Sequence, residues 1–406
     1  MKILLVNRFL YRKGGSETVF FKTADLLRAA GHEVVLFGRA APQNLDYPAP
    51  TYTCKTLYGP IGQIREGLSY FYNKDAAKCI DEVLTRERPD LVHIHLFWGG
   101  LTPSILRVIH QHAVPVIHTA HDYRMVCPAY TFRNGKGEVC EQCRGGHFIK
   151  CFTNLCSKRN PLLSLMMASE MTIRNHHCHP ATALDAIIYV SRFCRDKHEE
   201  IDPAFKRTRS MVLYNCTDLA GRYPDYPADG GYYLYYGRLS FEKGIGTLVE
   251  AFNSLPGLHL KIVGTGPSES ELKQKCKSAN VEFLGYRTGE ELYDLVRHAR
   301  FVCVPSEWYE NNPMTIVESY SLGVPVIGAK IGGIPEIVEE GKTGLLFESG
   351  NVDRLRDCIS SSLALEEEDY QQMRRNARRF ADLKFNPDKY ISDLLDFYQT
   401  VIDANK

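Results

Sequence analysis

The sequence lacks the features that mark membrane-spanning, secreted and nucleic-acid-binding proteins. No run reaches the roughly 18 consecutive apolar residues of a spanning helix, so any membrane contact would be peripheral. The first residues, MKILLVNRF, become polar too soon for a signal peptide. Lys and Arg (49) balance Asp and Glu (48), which leaves no basic excess to attract a phosphate backbone. We therefore expect no nucleic-acid partner.

What the sequence contains is typical of a large α/β protein. The 406 residues are 44% hydrophobic, enough for more than one core. The 13 cysteines are odd in number and mostly scattered through apolar segments, which favours a reducing, cytoplasmic compartment. Residues 2–7 predict a strand, 16–30 a helix closed by Gly31, and 33–37 the next strand, within the length of one βαβ unit.

The same alternation continues through both halves of the chain. A stretch rich in Pro, Asp, Gly and Tyr separates the halves at 202–231, so we expect two doubly wound Rossmann-like domains. We place them at 1–205 and 206–385, followed by a C-terminal helix at 386–406. Further strands are predicted at 90–96, 115–119, 186–190, 211–214, 232–236, 259–263, 281–283, 301–305 and 325–327. Further helices are predicted at 76–87, 103–111, 246–252, 268–279, 289–298 and 313–321.

The predicted helix at 313–321 begins with an anion-binding terminus. Asn312 is a good N-cap residue, and Pro313 suits the first helical position. The unpaired N–H groups of Met314 and Thr315 would lie at the positive end of the helix dipole, where a phosphate group binds well.

Two glutamates flank this terminus. Glu310 precedes the cap, and Glu318 lies about one and a half turns inside the helix. Carboxylates accept hydrogen bonds from hydroxyl groups, so the arrangement suits a nucleoside diphosphate sugar, which has central phosphates and hydroxyls at both ends. A solvated helix face shows the same spacing, so the neighbouring strand ends must decide between the two interpretations.

Loops after three other predicted strands carry glycines or cations. Two cations after one strand could balance the charge of a leaving diphosphate. A G-x-G turn alone is a weak signal because tight turns need glycine for structural reasons, but four such strand ends favour one shared ligand. The residues are Arg238 and Lys243 after 232–236, Gly264 and Gly266 after 259–263, and Tyr286 and Arg287 after 281–283.

These segments resemble the retaining glycosyltransferases of family 4, which have the two-domain GT-B architecture. The resemblance covers nearly the whole chain. In the second half it rests on E-x7-E (310–318), GRLSFEKG (237–244), VGTGP (263–267), FLGYR (283–287) and GVPVIGAKIGGIPEIVEEGKTGLLF (323–347). In the first half it rests on GGSETVFFKTADLLRAAGHEV (14–34), HIH (93–95), HTAHDY (118–123) and YNCTD (214–218).

The resemblance implies two domains facing a cleft, with the C-terminal helix crossing back to the N-terminal domain. It also implies transfer from a UDP- or GDP-linked sugar with retention and without a metal cofactor. Glu310 and His121 would be catalytic, Glu310 against the donor sugar and His121 across the cleft. The donor-binding residues would be Gly14, Gly15, Arg238, Lys243, Gly264, Gly266, Tyr286, Arg287, Met314, Thr315 and Glu318.

The acceptor implied by the resemblance is a glycan or a polyprenyl-linked saccharide, used to build a cell-surface polysaccharide or glycoconjugate. Such a reaction is expected in the cytoplasm or at the inner face of the plasma membrane. Two other functions stay open at this point. One is an isomerase or hydrolase of nucleotide sugars on the same fold, and the other is a non-catalytic scaffold.

A cysteine-rich insertion at about 127–158 lies outside the family's core motifs. Its C-x2-C followed by two more cysteines resembles a small structural zinc knuckle, in which four thiolates close a tetrahedral site. Disulfides are disfavoured by the compartment. Structural zinc is therefore one interpretation of the five cysteines, Cys127, Cys140, Cys143, Cys151 and Cys156.

Two weaker signals concern histidines and one helix. His93, His95 and His118 are predicted to be core histidines with satisfied hydrogen bonds, and residues 176–179 a polar helix end rather than a metal site. A helix at 162–171 with flanking cations could touch a membrane surface or a lipid-linked acceptor. We favour the alternative that it is an ordinary amphipathic helix packed on the sheet.

Overall fold

The computed structural model describes residues 1–55 and 69–406, and these form two α/β units. The first unit comprises Met1–Leu213 and Tyr390–Lys406, and the second comprises Tyr214–Lys389. Each unit is built on a sheet of parallel strands. The predicted fold class, two Rossmann-like α/β domains, is therefore confirmed.

The sheet of the first unit has the strand order β3-β2-β1-β4-β5-β6-β7, so the order reverses between β1 and β4. Apolar runs form these strands because helices cover both faces of a parallel sheet. Leu4 and Leu5, for example, are fully buried. The strands are β1 (Lys2–Asn7), β2 (Glu33–Arg39), β3 (Thr51–Cys54), β4 (Leu91–Leu96), β5 (Val116–Ala120), β6 (Ala186–Tyr189) and β7 (Arg209–Val212).

The helices of the first unit begin and end at recognisable residues. Asn73, Asn160 and Ser191 each cap a helix through a side-chain oxygen, and Gly31, at φ +82°, follows the end of the first helix as predicted. The helices are α1 (Gly15–Ala29), α2 (Lys74–Glu87), α3 (Ser104–Gln111), α4 (Ile149–Thr153), α5 (Pro161–His177), α6 (Pro180–Ala183) and α7 (Arg192–Ile201). Short 3₁₀ turns occupy Arg144–Gly146 and Pro203–Arg207.

The sheet of the second unit has the order β10-β9-β8-β11-β12-β13, which reverses between β8 and β11. Its strands are β8 (Tyr232–Tyr236), β9 (His259–Val263), β10 (Val281–Gly285), β11 (Ala299–Val304), β12 (Val326–Ala329) and β13 (Gly344–Phe347). Its helices are α8 (Leu219–Arg222), α9 (Ile245–Asn253), α10 (Glu269–Lys275), α11 (Gly289–Arg297), α12 (Met314–Ser321), α13 (Ile334–Ile337), α14 (Val352–Leu363) and α15 (Glu367–Lys384), with a 3₁₀ turn at Phe241–Lys243.

The C-terminal helix, α16 (Pro387–Ala404), leaves the second unit and packs on the first. The hydroxyl of Tyr390 lies 2.9 Å from that of Thr23, and both atoms are buried. The hydroxyl of Tyr398, a fully buried residue, lies 2.5 Å from Nδ1 of His93. These contacts make α16 a structural part of the first unit.

Most predicted strands and helices are present, with bounds that shift by a few residues. Two strands, β3 and β13, were not predicted. β3 shows only partial burial, with Tyr52 and Cys54 as its less exposed positions, so no apolar run marks it. In the described part of the chain, no helix has the length and apolar character needed to cross a membrane.

Candidate functional site

The loops that follow β8 and β11 meet at the strand-order reversal of the second unit, where doubly wound sheets bind ligands. The Nζ atom of Lys243, from the first loop, donates to Oε1 of Glu310, from the second, at 2.6 Å. The Ser306 hydroxyl donates to the same oxygen at 2.8 Å. The Glu310 residue is only 6% exposed, whereas Lys243 is half-buried.

Opposing effects set the pKa of Glu310. Burial alone would raise this pKa, but the charge of Lys243 and the hydrogen bonds from Lys243 and Ser306 outweigh it and lower the pKa below its ordinary value. The carboxylate therefore keeps its negative charge at neutral pH inside a buried site. A fixed negative charge of this kind can stabilise positive charge that develops on a bound sugar.

Helix α12 begins one residue later than predicted, and its N-cap is a different residue. Pro313 is the N-cap residue, and the first helical residue is Met314. The prediction that Asn312 caps the helix is wrong, because its Oδ1 atom accepts the backbone N–H of Asn215 at 2.8 Å, while the Asn215 amide donates to the Asn312 carbonyl at 2.9 Å. Within the described residues, the N–H groups of Met314 and Thr315 have no hydrogen-bond partner, so the predicted anion-binding terminus is open.

Glu318 lies on α12 beside Tyr236, the last residue of β8. Burial raises the pKa of Glu318 to about 7, against the smaller opposing effect of the neighbouring Tyr236 hydroxyl. The Tyr236 hydroxyl donates its proton to the carbonyl of Thr315 at 2.8 Å, which holds the ring against the first turn of α12. Glu318 is therefore a carboxylate that gains or loses its charge near neutral pH.

Glycines bring two of these loops into close contact. A Cβ atom on Gly264 would lie 1.9 Å from the Gly237 carbonyl oxygen, and one on Gly266 would lie 2.3 Å from that of Leu239. These two glycines are thus required for loop packing, whatever else they bind. Beside them, the Arg238 side chain is exposed and has no ion-pair partner in the described part of the chain.

The loop after β10 is more open. Tyr286 is 69% exposed, and Arg287 pairs with Glu291 at 2.5 Å. Both residues follow the carboxyl end of a strand as predicted, but they stand at the far edge of the sheet order, two strands away from β8.

In the first unit, the predicted residues also gather around the strand-order reversal. Gly14 and Gly15 precede and begin α1 after β1, and His121 follows β5, with β4 between these strands. Gly14 has an extended backbone, and a Cβ atom there would meet Glu17 Oε2 at an ordinary 3.6 Å. Burial raises the pKa of that Glu17 carboxyl.

Four histidines pack along β4 and β5. Nδ1 of His93 contacts Tyr398 and its Nε2 lies 2.7 Å from the Thr119 hydroxyl, so this histidine is satisfied as predicted. His118 Nδ1 lies 3.0 Å from the Ile94 carbonyl. His95 Nδ1 lies 2.9 Å from His121 Nε2, and these two rings stack with centroids 5.1 Å apart. Burial lowers the pKa of all four, to about 4 for His121, so the cluster is neutral at pH 7.

His95 fixes the tautomer of His121. The Nε2 atom of His95 is buried without a hydrogen-bond partner in the described residues, so the prediction of a fully satisfied histidine is wrong here. A buried N–H without a partner is costlier than an unpaired lone pair, which places the His95 proton on Nδ1. His95 then donates to Nε2 of His121, and the His121 proton must lie on Nδ1.

The five cysteines of the insertion are free thiols. Cys143 and Cys151 pack with Phe148, Ala168 and Met171 in a small apolar core, with Cys156 against it. Within residues 1–55 and 69–406, no group of three or more His, Cys, Asp or Glu side chains is arranged to hold a metal ion. A structural zinc site at these cysteines stays a prediction.

Sequence reasoning missed several residues that build the site. Ser306 donates to Glu310, Tyr236 lies beside Glu318, and Asn215 holds the loop before α12. Position marks three of them as candidates, because Tyr236 ends a predicted strand, Ser306 follows one, and Asn215 lies in the YNCTD segment. Their partners in the site carry no local signal in the sequence.

Comparisons with known proteins cover nearly the whole chain. Residues 13–220 match the family described as "Glycosyltransferase Family 4", and residues 225–380 match "Glycosyl transferases group 1". A D-inositol 3-phosphate glycosyltransferase of Mycolicibacterium smegmatis is 28% identical over 376 residues, covering 87% of this chain and 79% of that protein. An uncharacterised 42.6 kDa protein in the cps region of Klebsiella pneumoniae is 24% identical, covering 83% and 87%.

Solved structures share the fold. Sucrose-phosphate synthase from Thermosynechococcus elongatus superposes with a TM-score of 0.72 at 19% identity, over 99% of each chain. HepE from Anabaena, in complex with UDP-glucose, gives a TM-score of 0.68 at 18% identity, over 98% of this chain and 100% of that one. At these identities the likeness concerns the fold alone.

Proposed function

Because the chain belongs to glycosyltransferase family 4, it is a glycosyltransferase, and we propose that it transfers a sugar, with retention of anomeric configuration, from a nucleoside diphosphate sugar. The observation that carries this proposal is the Lys243–Glu310 pair beside the open N-terminus of α12, at the strand-order reversal of the second unit. Fixed charges of both signs lie there, and departure of a diphosphate from a sugar needs both.

The positive groups would bind the diphosphate. Lys243, Arg238 and the N–H groups of Met314 and Thr315 are the proposed partners of its oxygens. Glu318 would accept hydrogen bonds from the ribose hydroxyls, while Tyr286 and Arg287 would lie towards the base. HepE from Anabaena, which shares the fold, was solved in complex with UDP-glucose, and this supports a nucleotide-sugar donor.

The chemical step would break the bond between the anomeric carbon and the diphosphate oxygen. The nucleoside diphosphate leaves with the bonding electrons, and its negative charge is balanced by the cations named above. The acceptor hydroxyl adds to the same face and passes its proton to the leaving phosphate. Glu310 would stabilise the oxocarbenium-like state, and His121 would hold the donor sugar from the first unit. These protein charges can replace a metal ion in this scheme.

For the acceptor, we propose a glycan or a polyprenyl-linked saccharide, and with it a peripheral contact with the inner face of the plasma membrane. The Klebsiella relative is named for a cps region, which supports a role in polysaccharide biosynthesis. The 13 free cysteines support a reducing, cytoplasmic compartment.

Calorimetry with UDP, GDP and ADP on the purified protein is the first test. Tight binding of one nucleotide is expected, and its sugar conjugates are then assayed for transfer with NMR of the product anomer. Nucleotide release without any acceptor would indicate a hydrolase or isomerase instead. A folded protein that binds none of the three would contradict the proposal and leave the scaffold function.

A further inference from the structure

Helix α5 exposes several leucines while it buries two charged side chains beside Ala168 and Met171. Its exposed face carries Leu162, Leu165 and Ile173, which are 77%, 40% and 47% exposed. Its inner face buries Glu170 and Arg174, each 4% exposed. A helix packed on a soluble protein normally buries its leucines and exposes its charges, so the exposed leucines of α5 mark this face as a candidate contact surface.

Specific contacts fix this orientation. Glu170 Oε2 accepts from Arg124 Nη2 at 2.6 Å in a buried ion pair. Arg174 donates to the carbonyl oxygens of Arg124 and Met125 at 3.1 and 3.0 Å, and its guanidinium lies 4.7 Å from the centroid of the Trp98 ring. Rotating α5 to bury its leucines would leave two buried charges without partners, which is far more costly than the exposure of a few leucines.

The apolar surface continues onto the cysteine-rich insertion. The small core around Cys143, Cys151 and Met171 holds α4 against α5. Ile149 and Leu155, which are 55% and 37% exposed, extend the surface beyond the helix. We call the six exposed residues the α4–α5 surface: Ile149, Leu155, Leu162, Leu163, Leu165 and Ile173.

Acidic side chains are missing from this segment. Between residues 142 and 184 the sequence contains a single Asp or Glu, the buried Glu170, although acids and bases are balanced in the whole chain. Lys150 and Lys158 are exposed, and neither pairs with a carboxylate in the described part of the chain. The surface therefore combines exposed leucines with uncompensated positive charge.

We propose that the α4–α5 surface docks on the anionic surface of a lipid bilayer. Its leucines would enter the boundary between head groups and acyl chains, and Lys150 and Lys158 would meet the acidic head groups. This inference deepens the proposed function by naming the surface that would bring the enzyme to a lipid-linked acceptor, and it rests on that function only for the acceptor.

Flotation with vesicles of phosphatidylcholine and phosphatidylglycerol tests the proposal. The bound fraction of the full chain should rise with the phosphatidylglycerol content and fall as salt increases from 0.05 to about 0.5 M. The triple variant L162S/L165S/I173S should bind at least tenfold more weakly. The variant K150E/K158E should lose on the order of tenfold for anionic vesicles, with little change for neutral ones.

The matched control is L363S/L383S, because Leu363 and Leu383 are 46% and 58% exposed but lie in the second unit. It should bind vesicles like the unchanged protein. Thermal unfolding should be the same for all these proteins, which shows that each is folded. Nucleotide binding by calorimetry should also be unchanged, which separates this proposal from the proposed function. If the protein bound vesicles but no nucleotide, only the proposed function would be contradicted.

Two results would overturn the inference. One is the absence of binding to vesicles containing 50% phosphatidylglycerol at low salt. The other is a dimer in light scattering that the triple variant dissociates while flotation stays unchanged, because the surface would then be an interface between two copies of the chain.

Discussion

Glu310 in the second unit and the histidines of β4 and β5 in the first differ in the charge that they carry when buried. In the second unit Glu310 is buried but keeps its charge, because Lys243 lies 2.6 Å away. In the first unit, His93, His95 and His121 are held neutral by burial, which lowers the pKa of each. Burial opposes charge in both places, and the presence of a counter-ion decides the outcome.

This difference matches the parts that the two units would have in the reaction. In the proposed reaction a leaving diphosphate and a developing oxocarbenium ion need fixed charges, and Lys243 and Glu310 of the second unit would supply them. Neutral imidazoles in the first unit carry no charge that would compete for the diphosphate.

Removing the negative charge of Glu310 should have the largest effect on turnover. Glu310→Gln is expected to lower turnover on the order of a hundredfold or more, because the positive charge on the sugar loses its stabilising carboxylate. Nucleotide binding should stay largely intact, since Lys243 remains. Steady-state kinetics and calorimetry measure both, with the exposed Glu339→Gln as the control. Near-normal turnover would remove Glu310 from the mechanism.

Removing the positive charge of Lys243 should weaken binding of the nucleoside diphosphate donor. Lys243→Ala is expected to reduce the affinity for the nucleoside diphosphate roughly ten- to a hundredfold, in line with a buried charge pair that loses one partner. The affinity for the nucleoside alone should change far less. Calorimetry with both ligands makes the comparison, and equal losses for the two would contradict a phosphate-binding role.

Glu318 should make donor binding depend on pH. Its pKa of about 7 means that the carboxylate is protonated as pH falls, and a protonated carboxyl no longer accepts from both ribose hydroxyls. We expect the affinity for the nucleotide sugar to fall by up to about tenfold per pH unit below 7. Titrations from pH 8 to 5.5 measure this, and Glu318→Gln should give weak binding that is independent of pH.

The smallest effect is expected in the first unit. His95→Ala should lower turnover only several-fold, because His121 loses the donor that fixes its tautomer, whereas His95→Asn should retain most activity by supplying an N–H near the same position. The ¹⁵N shifts of the His121 ring should report Nδ1–H in the unchanged protein and a tautomer mixture in His95→Ala. The exposed His110→Ala serves as the control. A His121 ring protonated on Nε2 in the unchanged protein would contradict the assignment.

The repeating part of the fold could be predicted from sequence because buried parallel strands are apolar runs with helices between them. β1, β8 and β9 begin and end where their sequences predict. β3 was not predicted, because an edge strand needs no continuous apolar run. The prediction of Asn312 as the N-cap is wrong because its partner, Asn215, lies 97 residues earlier in the chain. Local pattern contains no information on such a contact.

The residues of the candidate site could be predicted from the sequence, but their contacts with one another could not. Lys243, Glu310 and Glu318 could be proposed because they follow strand ends or begin a helix, which are local properties. The pairing of Lys243 with Glu310, the role of Tyr236 and the link between His95 and His121 depend on the order of strands in each sheet. The burial of Glu170 and Arg174 on α5 could not be predicted, because the sequence of the helix does not show which face contacts Arg124.

The return of α16 to the first unit has a consequence for synthesis on the ribosome. Chains emerge from the N-terminus, and domains that are continuous in sequence usually fold in that order. Here the continuous unit is the second, residues 214–389, whereas the first lacks the Tyr398 contact with His93 until the last helix has been made. The half of the enzyme that is translated first is therefore the half that can complete its structure last.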